Sequence, residues 1–154
     1  MYATVLTLHS ATRWLVLLSL LYALGRAWRG YRTHAPFTPA DNAARHWTAT
    51  LAHFQLLLGV ALYLSSPVVR ANFTALKQNG FAPDAAFFSV LHPLLMLGAI
   101  VVVTIGSALA RRRATARAQF GTMLRWYGAA LFLIFLFIPW PFSPLAGRAL
   151  FRAF

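Results

Sequence analysis

Residues 85–109 read AAFFSVLHPLLMLGAIVVVTIGSAL, an apolar segment with no acidic residue, lysine or arginine. A helix needs about 20 mostly apolar residues to cross the hydrocarbon core of a bilayer, so this segment predicts a membrane-spanning helix. Three other segments have a similar composition, at about residues 2–24, 47–64 and 120–140. Together they predict an all-α fold: one domain over residues 1–154, forming an integral membrane bundle of four helices.

The composition of the whole chain agrees with a lipid environment. Hydrophobic residues make up 60% of the 154 residues and charged residues only 10%, which excludes a typical soluble enzyme. There are no cysteines, so disulfides, iron–sulfur clusters and thiolate–zinc sites are also excluded. The chain has 14 lysines and arginines against 2 acidic residues, and most of the arginines lie in the gaps between apolar segments. Their expected partner is therefore the anionic lipid surface rather than nucleic acid.

Capping residues and prolines predict where the helices begin and end. Thr38, Pro39 and Asp41 form an N-cap, a first-turn proline and an acid three residues after the cap, so the second helix should begin well before its apolar part. Asp84 is a candidate N-cap for the third helix. The second and fourth helices should end at prolines, namely Pro67, Pro139 and Pro141. Residues 68–80 and 141–154 are expected to form short interfacial helices.

The distribution of basic residues predicts the orientation of the bundle. Short connections between antiparallel neighbours give an up-down topology, in which the first and third helices lie across a diagonal. The connections after the first and third helices, including the start of the second, hold nine arginines (Arg26, Arg29, Arg32, Arg45, Arg111, Arg112, Arg113, Arg117 and Arg125). The opposite side has four basic residues (Arg70, Lys77, Arg148 and Arg152). By the positive-inside rule, the nine arginines are cytoplasmic and both termini are periplasmic or external.

Two histidines within the spans are candidate ligands of a metal centre. His9 and His92 each lie about seven residues from the outer end of a span, so both fall roughly 10 Å below the same membrane face. The diagonal of a square bundle is roughly 11–14 Å, which suits two imidazoles that bind one iron with a porphyrin between the helices. An apolar bundle also favours haem, which brings its own hydrophobic surface. These residues predict bis-histidine ligation of one haem b by His9 and His92.

Arg13 and His53 are further candidates for cofactor binding. Arg13 is four residues after His9 on the same helical face, and it either pairs with a haem propionate or extends to the membrane interface. His53 lies nearer the basic side, without a histidine at matching depth on another helix. A second haem would therefore need His34 or His46 as its other ligand. Gln55, Tyr22 and Tyr127 lie at comparable depth and could hydrogen-bond His53 or a quinone, or join helices.

The alternative interpretation is that the histidines only join helices through hydrogen bonds, as polar residues in membrane bundles often do. Small residues in the spans would allow a porphyrin or a neighbouring helix to approach closely (Gly59, Gly98, Ala99, Gly106 and Gly128). No carboxylate lies within a span, which argues against an ion-coordinating transporter.

Five short motifs resemble those of a known family. They are His9-Ser10, Arg13-Trp14, His53-Phe54-Gln55-Leu56-Leu57, His92-Pro93 and Ile138-Pro139-Trp140-Pro141-Phe142. Their order and spacing resemble the small four-helix bacterial membrane proteins catalogued as b-type cytochromes, similar in architecture to cytochrome b561. The family often has an acidic residue directly before the third histidine, where this chain has Leu91. The resemblance implies haem b and His9, His53 and His92 as candidate ligands.

Residues and resemblance together predict a b-type cytochrome of the bacterial inner membrane that passes electrons between quinol and a partner. Such a chain would be an electron-transfer protein in its own right or a subunit of an oxidoreductase complex. The alternative function is a haem-free accessory or assembly subunit of a larger respiratory or photosynthetic membrane complex. Small size and little mass outside the membrane favour that alternative.

Overall fold

The computed structural model describes residues 1–79 and 86–143, and this part of the chain is α-helical without any strand. The helices are α1 (Tyr2–Thr33), α2 (Pro39–Ser65), α3 (Pro67–Asn79), α4 (His92–Arg111) and α5 (Ala116–Phe137). A π-helical segment, Phe87–Leu91, leads directly into α4. Four of these helices are long and apolar enough to span a bilayer, namely α1, α2, α5 and α4 together with its π-helical segment. The predicted all-α membrane fold is therefore confirmed.

The four long helices form an up-down bundle. α1 packs against α2 and α5, and α4 packs against the same two helices, so α1 and α4 lie across a diagonal as predicted. α1 contacts the segment after α5 through the rings of Trp14 and Trp140, whose centroids are 6.0 Å apart, and it meets the start of α5 at Gly30 and Phe120. The end with the α1–α2 and α4–α5 connections is called the basic end below, and the opposite end the His9 end.

The start of α2 is set by the capping box that the sequence predicts. The Thr38 hydroxyl accepts a hydrogen bond from the Asp41 amide at 3.3 Å, and the Asp41 carboxylate accepts one from the Thr38 amide at 2.8 Å. Asp41 also accepts a hydrogen bond at 2.7 Å from Nε of Arg26 on α1. The cap therefore starts the second helix and also joins it to the first at the basic end.

Prolines end the helices at the His9 end, as expected. α2 ends at Ser65, before Pro67, which begins α3, and α5 ends at Phe137, before Pro139. Residues 67–79 are helical, in agreement with the short helix predicted at 68–80. The proposed cap Asp84 and all but the first three residues of the helix expected at 141–154 lie outside the described residues.

The π-helical segment is a departure from the single α-helix predicted over residues 85–109. The His92 amide donates to the Phe87 carbonyl, five residues earlier rather than four. Pro93 has no amide hydrogen to donate to the Ser89 carbonyl four residues before it, and its ring crowds that carbonyl, so the regular ladder is interrupted there. The Tyr63 hydroxyl of α2 donates to the Ser89 carbonyl instead, at 2.9 Å.

The closely packed core occupies the middle of the bundle and its basic half. Leu20, Ala23 and Val103 are fully buried there, and Tyr127 is fully buried and donates its hydroxyl to the Arg45 carbonyl at 2.7 Å. No residue of α1 before Val16 is buried. One face of these first turns, with Leu6, His9 and Arg13, lines a cavity at the His9 end.

Arg45 departs from its predicted place among the loop arginines. It lies within α2, is only 6% exposed, and donates from Nη1 to the Ser107 hydroxyl of α4 and from Nε to Asn42 at 3.1 Å. Because α2 begins six residues earlier at Pro39, this position is already inside the bundle. Arg45 thus joins α2 to α4 rather than facing the membrane surface.

Candidate functional site

The structure brings His9 of α1 and His92 of α4 together across the diagonal of the bundle. The centroids of the two imidazole rings are 6.5 Å apart, with an angle of 73° between the ring planes. Two side chains from helices that do not pack directly on each other thus meet at one depth, as the residue count from the membrane face predicts. Their meeting point is the centre of the candidate site.

One nitrogen of His92 is held by the end of α5. Nδ1 of His92 lies 2.8 Å from the carbonyl oxygen of Phe137. That carbonyl is available because α5 ends at Phe137, and the last carbonyls of a helix have no donor within the helix. Since a carbonyl only accepts, Nδ1 carries the proton, and a neutral imidazole then has its lone pair on Nε2. Histidines that bind metals typically make this bond to a carbonyl through their other nitrogen.

His9 is positioned by α2. The Gln55 side-chain amide donates to the His9 carbonyl at 2.9 Å, and the Thr12 hydroxyl donates to the Gln55 side-chain oxygen. The His9 ring packs closely on Gly59, where an added Cβ would lie 3.3 Å from Cε1 of the ring. Nδ1 of His9 is buried and has no hydrogen-bond partner among the described residues.

A cavity of about 830 Å³ surrounds the two histidines, within the roughly 300–1,000 Å³ range of ligand and cofactor sites. Its walls are mostly apolar and come from α1, α2, α3, α4 and the end of α5. Phe87 and Phe88 pack beside His92, with ring centroids 5.8 and 6.4 Å from the imidazole. α3 contributes Phe73, which packs against Tyr63 with ring centroids 6.4 Å apart.

Two polar side chains in the wall add to this chemistry. Arg13 lines the same cavity as His9, as its position one helical turn later predicts, and its guanidinium carbon lies 5.3 Å from the ring centroid of Trp14. The Ser89 hydroxyl also lines the cavity; Ser89 is 1% exposed, and its hydroxyl has no partner among the described residues. The cavity can therefore offer two imidazoles, a cation and a hydroxyl to a largely apolar ligand.

His53, by contrast, lies outside this cavity. Its side chain is exposed on the surface of the bundle, and Nε2 lies 2.9 Å from the Thr104 hydroxyl of α4. The three side chains expected near His53 have other hydrogen-bond partners. Gln55 donates to the His9 carbonyl, the Tyr22 hydroxyl contacts the Arg26 guanidinium, and the Tyr127 hydroxyl donates to the Arg45 carbonyl.

The other two histidines that a second haem would use are engaged elsewhere. His34 contacts the Arg117 guanidinium, and the His46 ring packs against Trp47 with centroids 5.6 Å apart. Among the described residues, neither His34 nor His46 is seen in contact with His53.

The supporting groups that the sequence analysis missed are Tyr63, Ser89 and the Phe137 carbonyl. Pro93 and Pro139 are the sequence signals that point to them, because Pro93 leaves the Ser89 carbonyl without its helical donor, and Pro139 marks the end of α5, where the last carbonyls have no donor within the helix. The partner that each carbonyl then finds depends on the packing of α2 and α4 against their neighbours, which the sequence pattern does not contain.

Comparisons of this chain with protein-family models, with curated protein sequences and with solved structures give no match. The interpretation of the site therefore rests on its own geometry and chemistry.

Proposed function

We propose that this membrane protein is a b-type cytochrome, in which His9 and His92 would hold haem b in the cavity at the His9 end. The observation that carries the proposal is the meeting of two imidazoles from opposite helices inside an apolar cavity. Imidazole is a common axial ligand of haem iron, and a pair of imidazoles completes the iron's coordination together with the porphyrin nitrogens.

The spacing of the rings fits this donor set. Imidazole nitrogens bind transition metals at about 2 Å, so two rings on one iron have centroids about 6 Å apart. The observed separation of 6.5 Å is close to that value. Gly59 lets the His9 ring pack closely on α2, and the buried Nδ1 of His9 has no protein partner among the described residues. The buried nitrogen without a protein partner agrees with a bound group that completes the site.

Haem bound here would supply one-electron redox chemistry, and the protein residues would set its conditions. The Phe137 carbonyl fixes the orientation of His92 and raises the basicity of Nε2. Arg13 is the candidate partner of a haem propionate, since an arginine in an apolar cavity is stabilised by a carboxylate. The apolar walls exclude water, which is one of the factors that set a haem potential.

The proposal includes the surroundings of the site. We place the protein in the inner membrane of a bacterium, with the basic end cytoplasmic and haem near the outer face, because of the arginine asymmetry between the two ends. Electrons would pass between a membrane quinol and a partner, which is another redox protein or another subunit of a respiratory complex. His53 has no part in holding this haem, since its side chain faces away from the cavity.

Three alanine variants test the proposal. Purified His9→Ala and His92→Ala should lose the low-spin haem absorbance of the wild type, because each removes one axial ligand. His53→Ala is the matched control, a histidine of the same bundle outside the cavity, and should keep it. Haem content is measured per chain by pyridine haemochrome absorbance. Unchanged haem content in both ligand variants would contradict the assignment and favour the haem-free accessory subunit.

A further inference from the structure

A second cleft lies at the basic end, between α1 and the start of α5. It has a volume of about 450 Å³. Its lining combines one aromatic residue of α1 with two arginines and small or apolar residues at the start of α5 (Tyr31, Thr115, Arg117, Ala118, Gly121, Leu124 and Arg125). No carboxylate lines this cleft, so its chemistry is that of an anion site.

The guanidinium of Arg117 is held in place by α1. Its carbon lies 4.7 Å from the ring centroid of Tyr31, within the range of a cation–π interaction, and Nη1 contacts Nε2 of His34. The Tyr31 ring in turn lies on Gly121, where an added Cβ would be 3.3 Å from Cε2. Arg117 is thus oriented by Tyr31 of α1 and by His34 directly after that helix, unlike a freely rotating surface arginine.

The protein offers no anion of its own to these arginines within the described residues. The chain has 14 basic residues and 2 acidic ones. Asp41 is engaged with Arg26 at 2.7 Å and with the Thr38 cap. The other acid, Asp84, lies outside the described residues. An external anion is therefore the group that would neutralise Arg117 and Arg125.

We propose that this cleft binds the phosphate headgroup of an anionic phospholipid. The planar fork of arginine matches the geometry of phosphate oxygens, and two arginines can share one phosphate diester. The cleft lies at an end of a membrane-spanning bundle, near the turn of α1 where Trp28 is 59% exposed and Arg32 lies 5.7 Å from its ring. Exposed tryptophan beside basic residues is typical of the headgroup level, where a lipid phosphate is at high local concentration. The site is independent of haem binding.

Native mass spectrometry of the full-length protein in mild detergent tests this site, with phosphatidylglycerol and phosphatidylcholine added at equal concentration. We expect the wild type to retain one phosphatidylglycerol in preference to phosphatidylcholine. The cleft variant Arg117→Gln/Arg125→Gln should bind phosphatidylglycerol about thirtyfold more weakly, given about 1 kcal/mol for each of the two basic residues and about 1.4 kcal/mol for each factor of ten.

The matched control is Arg29→Gln/Arg112→Gln, which removes the same charge from the basic end outside the cleft. It should retain the single bound phosphatidylglycerol at close to the wild-type level. An equal loss in cleft and control variants would overturn the proposal, because the attraction would then come from the general surface charge.

Inorganic phosphate distinguishes a lipid from a free anion. At matched ionic strength it should raise the thermal unfolding midpoint of the wild type much less than short-chain phosphatidylglycerol does. An equal rise from phosphate, lost only in the cleft variant, would overturn the lipid assignment and identify a free phosphate site. If the double variant fails to fold, Arg117→Lys replaces it, with Arg29→Lys as its control. Lysine keeps the charge but loses the fork, so equal lipid retention in these two variants would also overturn the proposal.

Discussion

Replacing Gly106 by alanine should force α4 and α5 apart. A Cβ at this position would lie 2.3 Å from Cβ and 2.9 Å from Cγ of Trp126. Carbon atoms in contact are normally about 3.5–4.0 Å apart, so the helices must separate locally by about an ångström. The nearest atom is a Cβ fixed to the backbone, which no change of side-chain rotamer can move away.

The size of the effect follows from two opposing contributions. Overpacking of a well-packed interface costs about 1–3 kcal/mol. Alanine is the better helix former by up to about 1 kcal/mol, which offsets part of that cost. We therefore expect Gly106→Ala to lower the free energy of unfolding by up to about 2 kcal/mol, the overpacking cost less the full gain in helix propensity.

Gly98→Ala is the matched control on the same helix. Among the described residues, no atom outside the nearby backbone of α4 lies within 4 Å of a Cβ added at Gly98, so only the gain in helix propensity of up to about 1 kcal/mol remains. Unfolding is followed by circular dichroism as the mole fraction of sodium dodecyl sulfate in mixed micelles is raised. Equal midpoints for the Gly106 and Gly98 variants would refute the close approach of α4 and α5. His92 is about 21 Å along the helix from Gly106, so haem content should not change in either variant.

Three other substitutions probe the described contacts. Tyr63→Phe removes the donor to the Ser89 carbonyl, so the free energy of unfolding should fall by about 1–2 kcal/mol and the protein should retain less haem. Wild-type haem affinity in this variant would argue against a role of Tyr63 in supporting the haem site. Asp41→Ala removes the capping box and the contact to α1, so the free energy of unfolding in mixed micelles should fall by about 1–2 kcal/mol, and no shift would contradict the cap. Tyr127→Phe deletes a buried hydroxyl bond and should cost about 1 kcal/mol in the same assay, with haem content unchanged as the internal control.

Features that depend on position along a helix were predictable from the sequence. A helix rises by a fixed amount per residue, so the depths of His9 and His92 follow from counting residues to the ends of their spans. The beginning of α2 was also predictable, because the Thr38 cap is a local motif that needs no tertiary partner.

Features that depend on rotation about a helix axis could not be predicted from the sequence. Residues two positions apart in a helix point about 200° apart, so the position of Gln55 at His9 turns His53 toward the bundle surface. The residue pattern shows both side chains at similar depth but not which of them faces α1. The partner of His53, Thr104 of α4, could therefore not be identified from depth alone.

The glycines show the same limit. Gly59 and Gly106 do lie against a neighbouring side chain, as small residues in membrane helices are expected to do. A Cβ at Gly98 or Gly128 would have no other part of the described bundle within 4 Å. The sequence shows at which positions a neighbouring helix could approach closely. Which of these glycines contacts a neighbouring helix depends on where each pair of helices crosses, and the packing of the whole bundle sets that point.

The central claim is tested most directly by a dithionite-reduced minus air-oxidised absorbance spectrum of the purified wild-type protein, with pyridine haemochrome quantitation. Two imidazoles that share one iron predict a sharp b-type alpha band and one haem per chain. A flat spectrum from protein produced with ample haem would contradict the account, and would leave His9 and His92 as a pair of packing residues at the centre of an apolar cavity.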